Sequence, residues 1–288
     1  MPDNDENAVR NARGGRQGRK AGTGRKRQAA AGQVKGSAAD RHLSPALRTF
    51  PADKLKIAPL TGTKASIYNS LWRPIADGRM KTGAKLGESE LETIFGVSRT
   101  VVRSVLEHMA TEGCIATPVN KTAHVLEPSP EDALIAFEVL GLTMVHIIRA
   151  LCAPSYTFSP AQNKAIDLHF AAQTAADEAD DRIGAHLLGV EFLILLAALY
   201  DAPLLTDLVS RTVVLETLSL KAYGEFPPPP WYVAFQRGLI DAILDHNPEE
   251  AVAEFEERLN HIRGTLRFDD TKNYEEADLG RLLTGKGA

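Results

Sequence analysis

The chain has 288 residues, 44% of them hydrophobic, which is enough for two ordinary domains with packed cores and argues against a wholly disordered polymer. Its two cysteines, Cys114 and Cys152, fall in different predicted domains, so a disulfide framework is not expected and a reducing, cytoplasmic setting is. The formal net charge of −4 conceals a segregation. Residues 1–56 carry 13 Lys and Arg against 5 Asp and Glu, whereas residues 128–288 carry 12 against 25.

The first segment, 1–56, contains GGRQGRKAGTGRKRQAAAGQ and almost no large apolar side chains. Such a stretch buries too little surface to offset chain entropy, so a disordered basic tail is expected. Two readings of it stay open. It is either a solvated tail of little consequence or a basic arm that lies along phosphates and adds salt-sensitive, sequence-independent affinity. It lacks the apolar core of a secretory signal. No run of about 18 apolar residues is read anywhere in the chain, so no membrane span is expected. The most apolar stretch, Val190–Leu199, is short for that role.

Residues 57–127 read as a compact module. A helix over Ser66–Asp77 holds Pro74, which removes a backbone donor and should kink or shorten it. A second helix, Glu88–Phe95, places Leu91, Ile94 and Phe95 at the spacing of one buried face. Gly96 stands where that helix must stop, since only glycine adopts the left-handed C-cap conformation at no steric cost. Ser98 is expected to cap the next helix through its side-chain oxygen. There Val102, Val105, Leu106 and Met109 form an inward stripe, and Arg99, Thr100 and Arg103 fall on the outer face. A short hairpin follows, with its tip at Asn120, Lys121 and Thr122. Helix, tight turn, helix and hairpin together are the plan of a winged helix-turn-helix. Two arginines and a threonine early on an exposed helix suit major-groove reading, because arginine pairs bidentately with guanine or holds phosphate. The plainer alternative, a solvated polar face, applies to most amphipathic helices. Here the turn, the cap position and the hairpin all agree with the DNA-binding reading.

From Pro128 onward the pattern is helical and acidic. Helices are expected near 130–152, 159–179, 182–200, 202–223, 229–246 and 248–267, punctuated by Pro154, Pro160, Pro203, the run Pro227–Pro230 and Pro248. Ser129-Pro130-Glu131-Asp132 is a helix start with a cap, a first-turn proline and acids that favour the dipole. An acidic helical bundle, taken as 128–267 with a C-terminal tail over 268–288, suits sensing and dimerisation better than contact with DNA. The predicted fold is therefore mainly α, a winged helix-turn-helix followed by an antiparallel helical bundle. No paired carboxylates, nucleophile–base arrangement or Gly-rich phosphate loop stands out, so no enzymatic activity and no cofactor are expected.

The segment Ile67–Val125, through IYNSLWRPIADGRMKTGAKL and ESELETIFGVSRTVVRSVLEHMATEGCIATPVNKTAHV, resembles the GntR family of bacterial transcription regulators. The run GVSRT-x-VR, then a leucine, EG and a wing, carries the likeness. The resemblance implies operator contacts from Arg99, Thr100 and Arg103, beside the cap residue Ser98, and from a wing tip at Asn120 and Lys121. Thr122 stands where the family has glycine, and a β-branched residue resists positive φ. The resemblance also implies a homodimer on a palindromic operator of double-stranded DNA, more often repressing than activating, and answering to a small effector. The rival reading is an architectural, low-specificity DNA-binding protein whose bundle serves only to dimerise.

The bundle resembles, more weakly, the FadR-like branch with its FCD-type C-terminal domain, through Ala202–Leu205 and Gln236–Ile262. Members of that branch commonly hold a divalent metal with one Asp and three His. The matching positions here are Gly189, Leu193, Gln236 and Arg258. Glycine and leucine offer no donor and arginine repels a cation, so no metal is expected. His146, His169, His186, His246 and His261 are scattered over separate helices, with His261 alone near a lost position. Gln236 and Arg258 are candidates to hold an anionic or polar effector directly. The alternative is that Leu193 has made the site packed core, with Arg258 turned to solvent.

Overall fold

The computed structural model describes residues 42–51, 53–55, 60–227, 231–268 and 279–284. The basic run of residues 10–35, on which the question of a DNA-contacting arm turns, lies outside them, as do Pro228–Pro230.

The N-terminal module begins with α1 (Gly62–Ala76), followed by strand β1 (Lys85–Leu86), α2 (Glu88–Phe95), α3 (Arg99–Thr111), β2 (Ile115–Ala116) and β3 (Ala123–Val125). Pro74 sits in the last turn of α1, and the helix continues through Ala76, so the proline does not cut it short. Gly96 is left-handed, at φ 63°, and closes α2. The inward stripe of α3 is buried as expected, and it packs with Leu71 and Ile75 of α1, Leu91 of α2 and Val125 of β3 in one core. The sheet order is β1-β3-β2, antiparallel, with Lys85 opposite His124 and Ile115 opposite Val125. This register turns Leu86, Ala123, Ile115 and Val125 inward and leaves Lys85 exposed beside the wing.

The second module is an all-helical bundle: α4 (Pro130–Leu151), α5 (Pro160–Glu178), α6 (Arg182–Tyr200), α7 (Pro203–Tyr223), α8 (Trp231–Leu244) and α9 (Pro248–Arg263). Its boundaries follow local chemistry. Ser129 and Ser159 each form a reciprocal capping box with a proline at the first helical position. Asp181 and Asn247 accept N–H bonds at the starts of α6 and α9. Helix α6 is the axis of the bundle and is buried on nearly every side from Gly184 to Leu199.

Three expectations need correction. Helices α4 and α6 are each long and apolar enough, by length and composition alone, to cross a membrane. For α6 the reason is its central place in the bundle, since a helix covered on all sides needs no polar face. The segment assigned wholly to a disordered tail folds in its last part. Residues 42–51 and 53–55 strap across the bundle, burying Ser44, Ala46, Leu47 and Leu55. The C-terminal stretch 268–288 holds a further short helix, α10 (Leu279–Thr284), which returns to the winged module and adds Leu279 to its core. In both cases a few apolar residues in a polar stretch find a surface made by distant parts of the chain.

Candidate nucleic-acid interface

Ser98, Arg99, Thr100 and Arg103 are exposed at the start of α3, and Asn120 and Lys121 are exposed at the wing tip. The backbone of Ser98 is extended and its carbonyl accepts from Val101 and Val102, so it is the N-cap residue by position. Its side chain makes no capping bond, contrary to expectation. The hydroxyl is thereby left facing outward with Arg99 and Thr100.

The wing tip is a turn in which the Lys121 amide donates to the Pro118 carbonyl at 3.2 Å. Its left-handed residue is Asn120, at φ 58°. Asparagine tolerates that conformation far better than a β-branched residue, and Thr122 is not asked to adopt it. The sequence argument against Thr122 therefore does not apply. Lys85 and His124 share the outer face of the small sheet, which extends positive character from the wing towards its base.

Sequence reading passed over Glu88. This carboxylate, at the first position of α2, lies between Arg99 and Arg103. Arg99 donates through Nε at 2.5 Å, and Arg103 donates through Nε at 3.2 Å and Nη2 at 3.1 Å. The arginines hold its pKa below the ordinary carboxylate range, Arg103 contributing most and Arg99 next. Glu92 stands 4.0 Å from Arg99 as a weaker second partner. Both guanidinium groups remain more than half exposed. Glu88 thus draws both guanidinium groups to one carboxylate, which occupies some of their donors while leaving the rest open to solvent. Its position at the start of a helix whose outer face is acidic (Glu88, Glu90) was the only sequence signal, and it reads equally well as dipole complementation. Lys64 of α1 donates to Ser104 Oγ at 2.7 Å and ties α1 to the flank of α3.

In the bundle, Arg258 and Gln236 are fully buried. The reading in which Arg258 turns to solvent is therefore overturned, and the reason is a partner from another helix. Arg258 Nη2 lies 3.4 Å from Glu216 Oε1, with neither side chain exposed. Burial raises the Glu216 carboxyl above its ordinary range despite the guanidinium beside it. Gln236 donates to Gln173 Oε1 at 2.7 Å. His186 sits between Tyr232 OH at 2.9 Å and Thr217 Oγ1 at 3.2 Å. Ser44 of the strap meets His169 Nδ1 at 2.8 Å. Burial pushes His169 down to about 4, against the pull of Glu191.

A divalent metal does not fit the four positions suggested by the family resemblance. A Cβ at Gly189 would stand 2.4 Å from Tyr232 Cδ1, so the tyrosine ring fills the space in which a ligand side chain would project. Leu193 is buried in the apolar core, and Arg258 brings a fixed positive charge. His261 is exposed and lies against the Trp231 ring. Among the described residues no group of three or more His, Cys, Asp or Glu could hold a metal ion.

Comparison with known proteins agrees with this geometry. Residues 63–125 match the model of the bacterial regulatory proteins, gntR family. The fold is similar to that of a GntR transcriptional regulator from Rhodococcus sp. RHA1, with a TM-score of 0.59 at 19% identity over 71% of this chain and 99% of that one. It is also similar to McbR/YncC of E. coli, with a TM-score of 0.55 at 16% identity over 71% of this chain and 97% of that one. No curated protein matches the sequence. Residues 63–125 thus match the gntR family model over the winged helix-turn-helix, and the chain shares the fold of these two proteins.

Proposed function

We propose that the protein is a transcriptional repressor of the FadR-like GntR branch, with an FCD-type helical domain, that binds a palindromic operator as a homodimer in the cytoplasm. The observation that carries this reading is the Arg99–Glu88–Arg103 arrangement on the exposed opening of α3, with Thr100 and Ser98 outward and the Asn120–Lys121 tip beside it. Arg99, Thr100 and Arg103 read base edges or hold phosphate, and the wing engages the flanking backbone.

Dimerisation is supported by an apolar face. Leu134, Ile135 and Leu142 on α4 and Leu204 and Leu208 on α7 are all exposed, Leu142 at 71% and Leu204 at 77%, spread along two helices that pack side by side. A twofold pairing over such a face would set the spacing of the two reading heads. For the effector we propose a small anion in the bundle, held by Arg258 and Gln236. Its support is that Arg258 Nε and Nη1 are buried without a hydrogen-bond partner among the described residues. A ligand there shifts DNA binding only by its differential affinity for the two placements of the reading heads.

Selection from a random DNA pool at physiological salt tests the reading. Recovery of a short palindrome, bound with a stoichiometry of two chains per site, is the expected result. No consensus would replace it with the architectural alternative, in which the basic N-terminal segment supplies most of the affinity.

A further inference from the structure

A cavity of about 380 Å³ lies between the winged module and the bundle, and neither Arg258 nor Gln236 lines it. Its size is within the range of pockets that enclose small organic ligands. One wall is apolar, built from Leu187, Val190 and Ile194 of α6 and Val213 and Val214 of α7. The opposite wall comes from the DNA-binding module, with Trp72 and Arg73 of α1 and His108 near the end of α3. His42, Leu43 and Leu55 of the N-terminal strap close one side.

The charges around this cavity are not equivalent. Each carboxylate on its walls already has a partner inside the protein. Asp77 holds Arg79 at 2.6 Å, and Asp207 holds Arg211 at 3.1 Å. Glu112 accepts from Tyr68 OH at 2.5 Å and lies 3.1 Å from His108. Asp181 Oδ1 accepts the Gly184 amide at 2.9 Å. Glu191 accepts the Leu43 and Ser44 amides at 2.9 and 2.6 Å. Arg73 is different: its guanidinium makes no ion pair or hydrogen bond among the described residues, and it stands at the exposed rim. The adjacent Trp72 indole N–H, half-buried, likewise donates to nothing among them. Two donors without a protein partner among the described residues therefore line this slot, and one of them, Arg73, is cationic and reaches solvent.

The geometry points to this cavity as a binding site for an amphipathic organic acid, its apolar or aromatic body against α6 and α7 and its carboxylate on Arg73 and Trp72. Such a ligand would touch α1 and the end of α3 together with the bundle, and so would bridge the reading head to the rest of the chain. This site is separate from the one proposed at Arg258, and its test needs no operator, so its failure leaves the DNA-binding reading standing.

Trp72 is itself a reporter. The sequence holds two tryptophans, Trp72 and Trp231, so Trp231→Phe leaves one at the cavity. In that background of the full chain, 2-naphthoate, the neutral 2-naphthamide and the cationic 2-naphthylmethylamine are titrated while Trp72 emission is followed. The expected result is saturable quenching by naphthoate, weaker binding of the amide and weakest binding of the amine. Arg73→Gln should weaken naphthoate roughly tenfold, the loss of one charge-assisted contact, while leaving thermal stability unchanged because Arg73 supports nothing else. Ser210→Phe, which projects a ring into the slot, should abolish binding of all three. No saturable response to naphthoate, equal affinity for the amine, or naphthoate affinity untouched by Arg73→Gln would each overturn the assignment.

Discussion

The buried pair Arg258–Glu216 can be perturbed from either end or both, and the structure predicts that the double variant is more stable than either single. Both side chains are fully buried, yet they meet through a single contact at 3.4 Å. Arg258 Nε and Nη1 and Glu216 Oε2 make no hydrogen bond among the described residues. Two desolvated charges thus recover little of their hydration through each other. Arg258→Met leaves the carboxylate buried without its counter-charge, a loss of about 3–5 kcal/mol for pairs of this kind. Glu216→Leu strands the guanidinium, at a similar loss. At about 2–4 °C per kcal/mol for a protein of this size, each single variant should melt roughly 6–20 °C below the parent. The double variant removes both charges and fills the space with apolar groups, so it should recover to the parent's melting temperature or exceed it, by about 1–4 kcal/mol at most. Calorimetric melts of the parent, both singles and the double at pH 7 give the complete cycle. Single variants within about 2 °C of the parent, or a double variant as unstable as the worse single, would refute the reasoning, because either result would mean that no uncompensated buried charge is created.

Four further predictions use other parts of the chain. Arg103→Ala should weaken binding to the selected operator by about 1–3 kcal/mol, and Glu88→Gln should strengthen binding to unrelated DNA several-fold by removing a carboxylate that competes with phosphate; fluorescence anisotropy across a salt series measures both. Stability should fall as the pH is lowered from 6.5 towards 4. In the unfolded chain His169 takes a proton near 6.5, whereas in the fold burial delays it to about 4, and His186 is displaced in the same direction. The unfolded state therefore binds more protons through this window, and denaturant midpoints at pH 7, 5.5 and 4.5 should decline in that order. Gly189→Ala should destabilise the bundle by about 1–3 kcal/mol, since the new methyl would stand 2.4 Å from the ring of Tyr232, whose hydroxyl is tied to His186; a urea titration measures the loss.

The elements that sequence reading placed correctly share a property: their signals are local. The proline-led starts after Ser129, Ser159 and Asn247 place the bundle helices to within a few residues. Gly96 and the alternation of Val102, Val105, Leu106 and Met109 place the helix-turn-helix. The outward direction of Arg99 and Arg103 follows, because a residue's face on a helix is set by its spacing from the buried stripe. The same logic misjudged Ser98, whose cap position was evident but whose side-chain bond depends on a rotamer that the pattern does not specify. It also left the wing tip in doubt, because the residue that takes positive φ depends on where the turn closes, and the turn closes on Asn120.

Helix type, helix limits and the outward direction of Arg99 and Arg103 were written in short-range order, where propensity, capping and periodicity act over a few residues. Longer-range features arose only when the chain closed on itself. Glu88 came to hold Arg99 and Arg103 because α2 packs against α3. Arg258 became a buried charge because Glu216 approaches from a different helix. The N-terminal strap and α10 became ordered because the bundle and the winged module offered them apolar surface. The cavity at Trp72 and Arg73 exists only between elements more than a hundred residues apart along the chain. Neither pair geometry nor a void between modules has a periodic signature, because both depend on distances that sequence separation does not set.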